Sequence, residues 1–145
     1  MELIVVIAII GVLAAIIVPT TLHFVGEARV EAARVEVRSV MSSIETGVIS
    51  VVGKYDPDAT EPLAINAAKA KAILDRDNID ASEGTVLSLD FDEAAGTITV
   101  TVTHTQTEDD GSAIAQSKTF ARPAGVTVEG FHLRFNGSAW DEFEP

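Results

Sequence analysis

Few residues in this chain could do chemistry, and the most conspicuous is Glu2, a carboxylate at the head of the apolar run LIVVIAIIGVLAAIIV that ends at Pro19. A lone carboxylate at the edge of hydrocarbon is costly unless it is paired or used. The histidines, His23, His104 and His132, lie too far apart in sequence to form a metal-ligand spacing. No Gly-rich phosphate loop, nucleophile elbow or HExxH motif occurs, so no catalytic residue is assigned and the chain is read as a non-enzyme. Oxygen donors cluster in DPD at Asp56 to Asp58, DFDE at Asp90 to Glu93 and EDDGS at Glu108 to Ser112. Asp56, Asp58, Asp109 and Asp110 are the calcium candidates, but none has EF-hand spacing, and the expectation is that no cofactor is bound. Asn136-Gly137-Ser138 is both a hairpin signal and an N-glycosylation sequon, with Asn136 as the acceptor candidate.

The elements that must position Glu2 begin with the apolar run itself. From Leu3 to Val18 no side chain is polar, and no formal charge follows Glu2 until Glu27, enough helix to cross a bilayer. The run is apolar on every side, which suits lipid or a bundle interior better than a protein surface. A secretory signal peptide begins with Lys or Arg, whereas this run begins with Glu2. After Gly26 the pattern changes: Val30, Ala33, Val37, Val40, Ile44, Val48 and Val51 recur at steps of three and four, between charges such as Glu31, Arg34, Arg38 and Glu45. One helix from about Glu2 to Val52, about 75 Å long, is expected, kinked or locally unwound near Pro19. Gly47 should weaken it modestly.

GKYDPDATEP, from Gly53 to Pro62, reads as a linking loop. Residues 63–75 are expected to form a second helix closed by Asp77 and Asn78. TVLSLDF and TITVTVTHT alternate as strands joined by a hairpin at DEAAG, with AIAQSKTFA as a third strand. VTVEGFHLRF is expected as a fourth strand bulged at Gly130, and Trp140 with Phe143 as a return along it. The class is α+β: an antiparallel meander covering the amphipathic half of the long helix. The row Thr97, Thr99, Thr101, Thr103, Thr105 and Thr107 should face away from that helix. The chain divides into an apolar helix half at 1–26, an amphipathic half at 27–52 and a globular domain at 53–145.

Composition narrows the partners. The net charge of -12 argues against binding a nucleic-acid backbone, which needs a basic surface. About 17 of the 22 acids follow Gly53, so the distal part is the acidic one. With no cysteine there is neither a disulfide framework nor a thiolate metal site.

Glu2, the apolar stretch with Gly11 and Pro19, and the amphipathic continuation together resemble the type IV pilin family, in particular the type IVa-like major pilins, and the related type II secretion pseudopilins. The resemblance implies the pilin fold and a role for Met1, Glu2, Leu3, Gly11 and Pro19 in assembly, with Glu2 meeting the N-terminal ammonium of a neighbouring subunit. It also implies that the segment between Gly11 and Pro19 unwinds in filaments. The implied partners are identical subunits, an assembly platform with its ATPase, prepilin peptidase, and the inner membrane before assembly. The implied destination is an extracellular pilus serving adhesion or motility. In the family pattern a Phe and further residues precede the Glu; here only Met1 does, so leader cleavage and N-methylation are not placed on a residue. The pilin disulfide loop is ruled out by the lack of cysteine. A periplasmic pseudopilin, a family in which a distal loop often carries calcium, is the alternative expectation. A membrane-anchored module that never polymerises is a third.

Overall fold

The computed structural model describes residues 2–52, 63–79, 81–108 and 110–145. Helix α1, Glu2–Val52, is followed by β1 (Leu63–Ile65), α2 (Ala67–Arg76), β2 (Val86–Asp92), β3 (Thr97–Thr107), β4 (Ala113–Ala121), β5 (Val126–Val128), β6 (Phe131–Phe135) and β7 (Trp140–Glu142). The arrangement is α+β, a long N-terminal helix packed on a five-stranded antiparallel sheet.

α1 continues through Pro19 as helix, so the expected local unwinding is not present in this single chain. Proline removes one amide donor and crowds the preceding turn. The carbonyl left without its amide donor is that of Ala15; the adjacent hydroxyls bond the next two, Thr20 Oγ1 donating to the carbonyls of Ile16 at 2.8 Å and Ile17 at 3.0 Å, and Thr21 Oγ1 to Ile17 at 2.7 Å. Such back-bonding gives those carbonyls a second donor and satisfies the hydroxyls within the helix itself. The apolar half is rich in Ile and Val, whose branched side chains are indifferent helix formers in water. Away from water the backbone has only itself to bond, and helix becomes the solution that satisfies every amide.

The second half of α1 supplies one wall of the core. Ala33, Val37, Val40, Met41, Ile44 and Val48 are buried against Leu87, Leu89, Ile98, Val100, Val102 and Leu133 of the sheet. On β3 the expected alternation holds: Ile98, Val100, Val102 and His104 are buried, and the intervening threonines lie on the other face. There Thr99 pairs with Thr119 and Thr101 with Ser117 through their hydroxyls.

Sheet order departs from a simple meander. β2, β3 and β4 follow one another, but β6 lies beside β2, giving the order β4-β3-β2-β6-β7. The expected fourth strand is two: β5 pairs with β1 in a separate parallel ribbon, and β6 joins the main sheet. The break falls at Gly130, where a Cβ would stand 3.2 Å from the Leu89 carbonyl. Likewise Leu63–Ile65 is strand and not the start of the second helix, because β5 offers it a ladder from Leu63 opposite Val126 to Ile65 opposite Val128. α2 starts after Asn66, whose side chain accepts from the Lys69 amide at 3.1 Å as an N-cap. It stops where Asn78 adopts φ +51 and the Ile79 amide reaches back to the Leu74 carbonyl at 2.9 Å, a Schellman arrangement.

Gly47 has a packing role that helix propensity does not reveal. A Cβ there would meet Ile73 of α2 at 2.3 Å from Cδ1 and 2.9 Å from both Cγ1 and Cγ2. Two of those atoms hang directly on the Ile73 Cβ, so a rotamer change alone does not clear the clash. Gly47→Ala is expected to destabilise the domain by about 1–3 kcal/mol, the usual cost of overpacking. The readout is the denaturation midpoint followed by fluorescence of Trp140, which is 4% exposed. An unchanged midpoint contradicts the close-approach account.

Candidate assembly site

Every residue from 2 to 29 is exposed, and the apolar ones face all directions around the helix. Leu3 is 75% exposed, Phe24 67% and Val25 42%. Ile4, Val5, Ala8, Ile9, Val12 and Leu13 line a shallow apolar depression along one side. The segment projects about 40 Å at 1.5 Å per residue. Glu2 occupies its first turn, where the helix dipole favours a negative charge. Met1 lies outside the described residues.

Gly11 and Pro19 sit on this projecting segment. Among the described residues nothing approaches within 4 Å of the Cβ that Gly11 lacks, and the same is true of Gly26. The described residues therefore give no steric reason for either glycine. At the distal end His23 lies 3.6 Å from Glu27, one turn on, where the charged part of the helix begins.

Polar ties fasten the other half of α1 to the domain. Arg34 pairs with Glu108, beyond β3, and with Glu31 at 3.2 Å. Both contacts raise its pKa, the Glu108 hydrogen bond most. Glu45 pairs with Lys118 on β4. Ser43 donates to Asp77 at the end of α2, whose carboxylate is also held by Arg76 Nε at 2.7 Å. Arg76 and then Ser43 lower the Asp77 pKa.

The tie hardest to foresee gathers around Glu36. Its carboxylate accepts from the Ser82 amide and hydroxyl, both at 2.8 Å, and from the Thr85 hydroxyl at 2.9 Å. His104 stands behind it, 6% exposed. The ring's Nδ1 accepts from the Gln106 amide at 2.8 Å, which places the imidazole proton on Nε2. That Nε2 lies 3.4 Å from Glu36 Oε2 without hydrogen-bond geometry and has no other partner among the described residues. Burial pushes the Glu36 pKa up, but the Ser82 and Thr85 hydrogen bonds and the nearby imidazole hold it below the ordinary carboxylate value. In sequence Glu36 is one of several interleaved helix charges and His104 one strand residue; only the packing of α1 on β3 brings them together.

The remaining candidates are local. Asp110 Oδ1 accepts from the Ser112 hydroxyl at 2.6 Å and amide at 2.9 Å, contacts that lower its pKa, so it serves its own loop. Asp56, Asp58 and Asp109 lie outside the described residues, as does the expected linking loop. Among the described residues no group of three His, Asp or Glu is placed to hold a metal ion. Asn136 Oδ1 accepts from the amides of Ser138 and Ala139, each at 2.9 Å, and from the Ser138 hydroxyl at 3.0 Å. Its Nδ2, the atom a glycan would use, donates to Asp141 at 2.6 Å. These bonds explain the residue as the organiser of the β6–β7 turn.

No protein-family model, curated protein or solved structure matches the chain. The site therefore rests on its own geometry: an anchored helix whose other half is long and apolar enough to cross a membrane, with a mean hydropathy of 3.0 in its most apolar window.

The Glu36 cluster generates a pH prediction. A carboxylate whose pKa is lowered on folding stabilises the fold above its unfolded-state pKa, and that stability is lost as pH falls through the folded value. Glu36→Gln should flatten this part of the acid limb of stability against pH. Asp77 and Asp110 are lowered too and act in the same direction. An acid limb unchanged in Glu36→Gln contradicts the assignment.

Proposed function

We propose that this chain is the structural subunit of a type IV pilus, polymerising through the apolar half of α1, with Glu2 meeting the N-terminal ammonium of a neighbouring copy. One observation carries the reading: the helix is fastened to its domain from Ala33 to Val48, while residues 2–29 expose apolar side chains on every side. A one-sided membrane anchor needs no second helix half bound so firmly to a domain. A polymer does, because each subunit must transmit position from the packed helices to the outside. The order of elements, long apolar helix and then antiparallel sheet, is compatible with a pilin-like fold, and the Glu2, Gly11 and Pro19 pattern supports the same family.

Before assembly the apolar half would reside in the inner membrane, and after it in the core of an extracellular filament. Subunits leave lipid and not water, so transfer of apolar surface supplies little of the driving force. Close packing, the Glu2 pairing and an external ATPase on an assembly platform must supply direction, after prepilin peptidase has freed the N-terminus. The Glu2 pair acts mainly on register: burying both charges together costs far less than burying either alone, so a subunit out of register is rejected.

Glu2→Ala isolates this step. It leaves an ammonium buried without a partner, a cost of about 3–5 kcal/mol for each subunit added. The expected result is a sharp loss of filaments sheared from cells, with the membrane-held pool and the denaturation midpoint of the domain unchanged. Filaments at normal yield from Glu2→Ala contradict the pairing.

A further inference from the structure

The five-stranded sheet ends in two edges of opposite charge. At one edge β4 and the residue after it, AIAQSKTFAR, carry Lys118 and Arg122 and no acid. At the other, β7 and the C-terminal residues, WDEFEP, carry Asp141, Glu142 and Glu144 and no base. β4 is exposed along nearly its whole length, and a groove of about 310 Å³ runs between it and α1. Arg38 lines that groove and makes no ion pair among the described residues.

The charges also share a face. Lys118 lies opposite the buried Val100 and reaches Glu45 on α1, so it projects on the helix side of the sheet. Glu142 lies opposite the buried Leu133, which puts it on the same side. A charge on the inner face of an edge strand disfavours pairing with an apolar strand. It accepts a strand that brings the opposite charge to the same face, which turns a guard into a selector.

We propose that β4 of one copy receives β7 and the C-terminal residues of a second copy, extending the sheet from subunit to subunit with Lys118 and Glu142 on one face. Two different edges meet, so the contact is heterologous, the kind that propagates as a helical filament when its rotation does not close a ring. The main-chain groups along the open flank of β4 supply the adhesion, and the charges supply direction. This inference rests on the filament reading and adds to it a contact outside the helical core.

The natural chain has no cysteine, so engineered thiols report alone. Filaments of the full chain carrying both Ser117→Cys and Phe143→Cys, which leave Lys118 and Glu142 in place, are treated with a bis-maleimide linker spanning one two-residue register step, about 7 Å. A ladder of covalent oligomers is expected, with none from either single variant. Within one copy the two positions are four strand spacings apart, about 19 Å, beyond the linker. Dimers from Ser117→Cys alone would mean that two β4 edges meet, and filaments without a ladder that the edges do not meet. Either result overturns this inference and leaves the filament reading standing. If the unsubstituted chain forms no filament, both fall.

Discussion

The apolar surface of residues 2–29 has no partner among the described residues of its own chain, and the rest of the molecule is organised around that constraint. A helix apolar on one stripe can be satisfied by a single sheet; one apolar around its whole circumference needs lipid or several other helices. The sheet in this protein covers only the second half of α1, where the apolar positions narrow to one face. The boundary lies near Val30, the first half-buried residue.

That division explains where the polar ties are found. Arg34, Glu36, Ser43 and Glu45 each bind a different element of the domain: the loop beyond β3, the segment leading into β2, the end of α2, and β4. Exposed ion pairs contribute little individually, and the packed stripe from Ala33 to Val48 carries most of the attachment. What the ties add is direction. A smooth apolar stripe tolerates sliding by a turn, but hydrogen bonds from Ser82 and Thr85 to one carboxylate do not. The projecting half is thereby held at one rotation and one height relative to the sheet, as the proposed filament would require.

Local patterns made much of this legible in advance. The extent of α1, the alternation on β3 and the outward threonines follow from side-chain periodicity, and the turn at Asn136 from its own chemistry. What escaped depends on distant partners. Leu63–Ile65 looks helical beside the alanines of α2 and becomes strand only because Val126–Val128 lies alongside it. The place of β6 next to β2 is a pairing between segments far apart in sequence, invisible to periodicity. Gly47 read as a weak point of the helix because its neighbour, Ile73, belongs to another element. The Glu36 and His104 cluster had no sequence signature at all, whereas Glu2 stood out because nothing near it in the chain resembles it.

The most direct test of the central claim is to shear cells that make this protein and solve any released filament by cryo-electron microscopy to side-chain resolution. The account predicts long filaments whose map fits this chain, with the helices from Leu3 to Val25 packed together at the centre and the five-stranded sheet outside. A sheared fraction without the chain, with the protein retained in the cell envelope, would contradict it, as would a filament whose centre is built from the sheet.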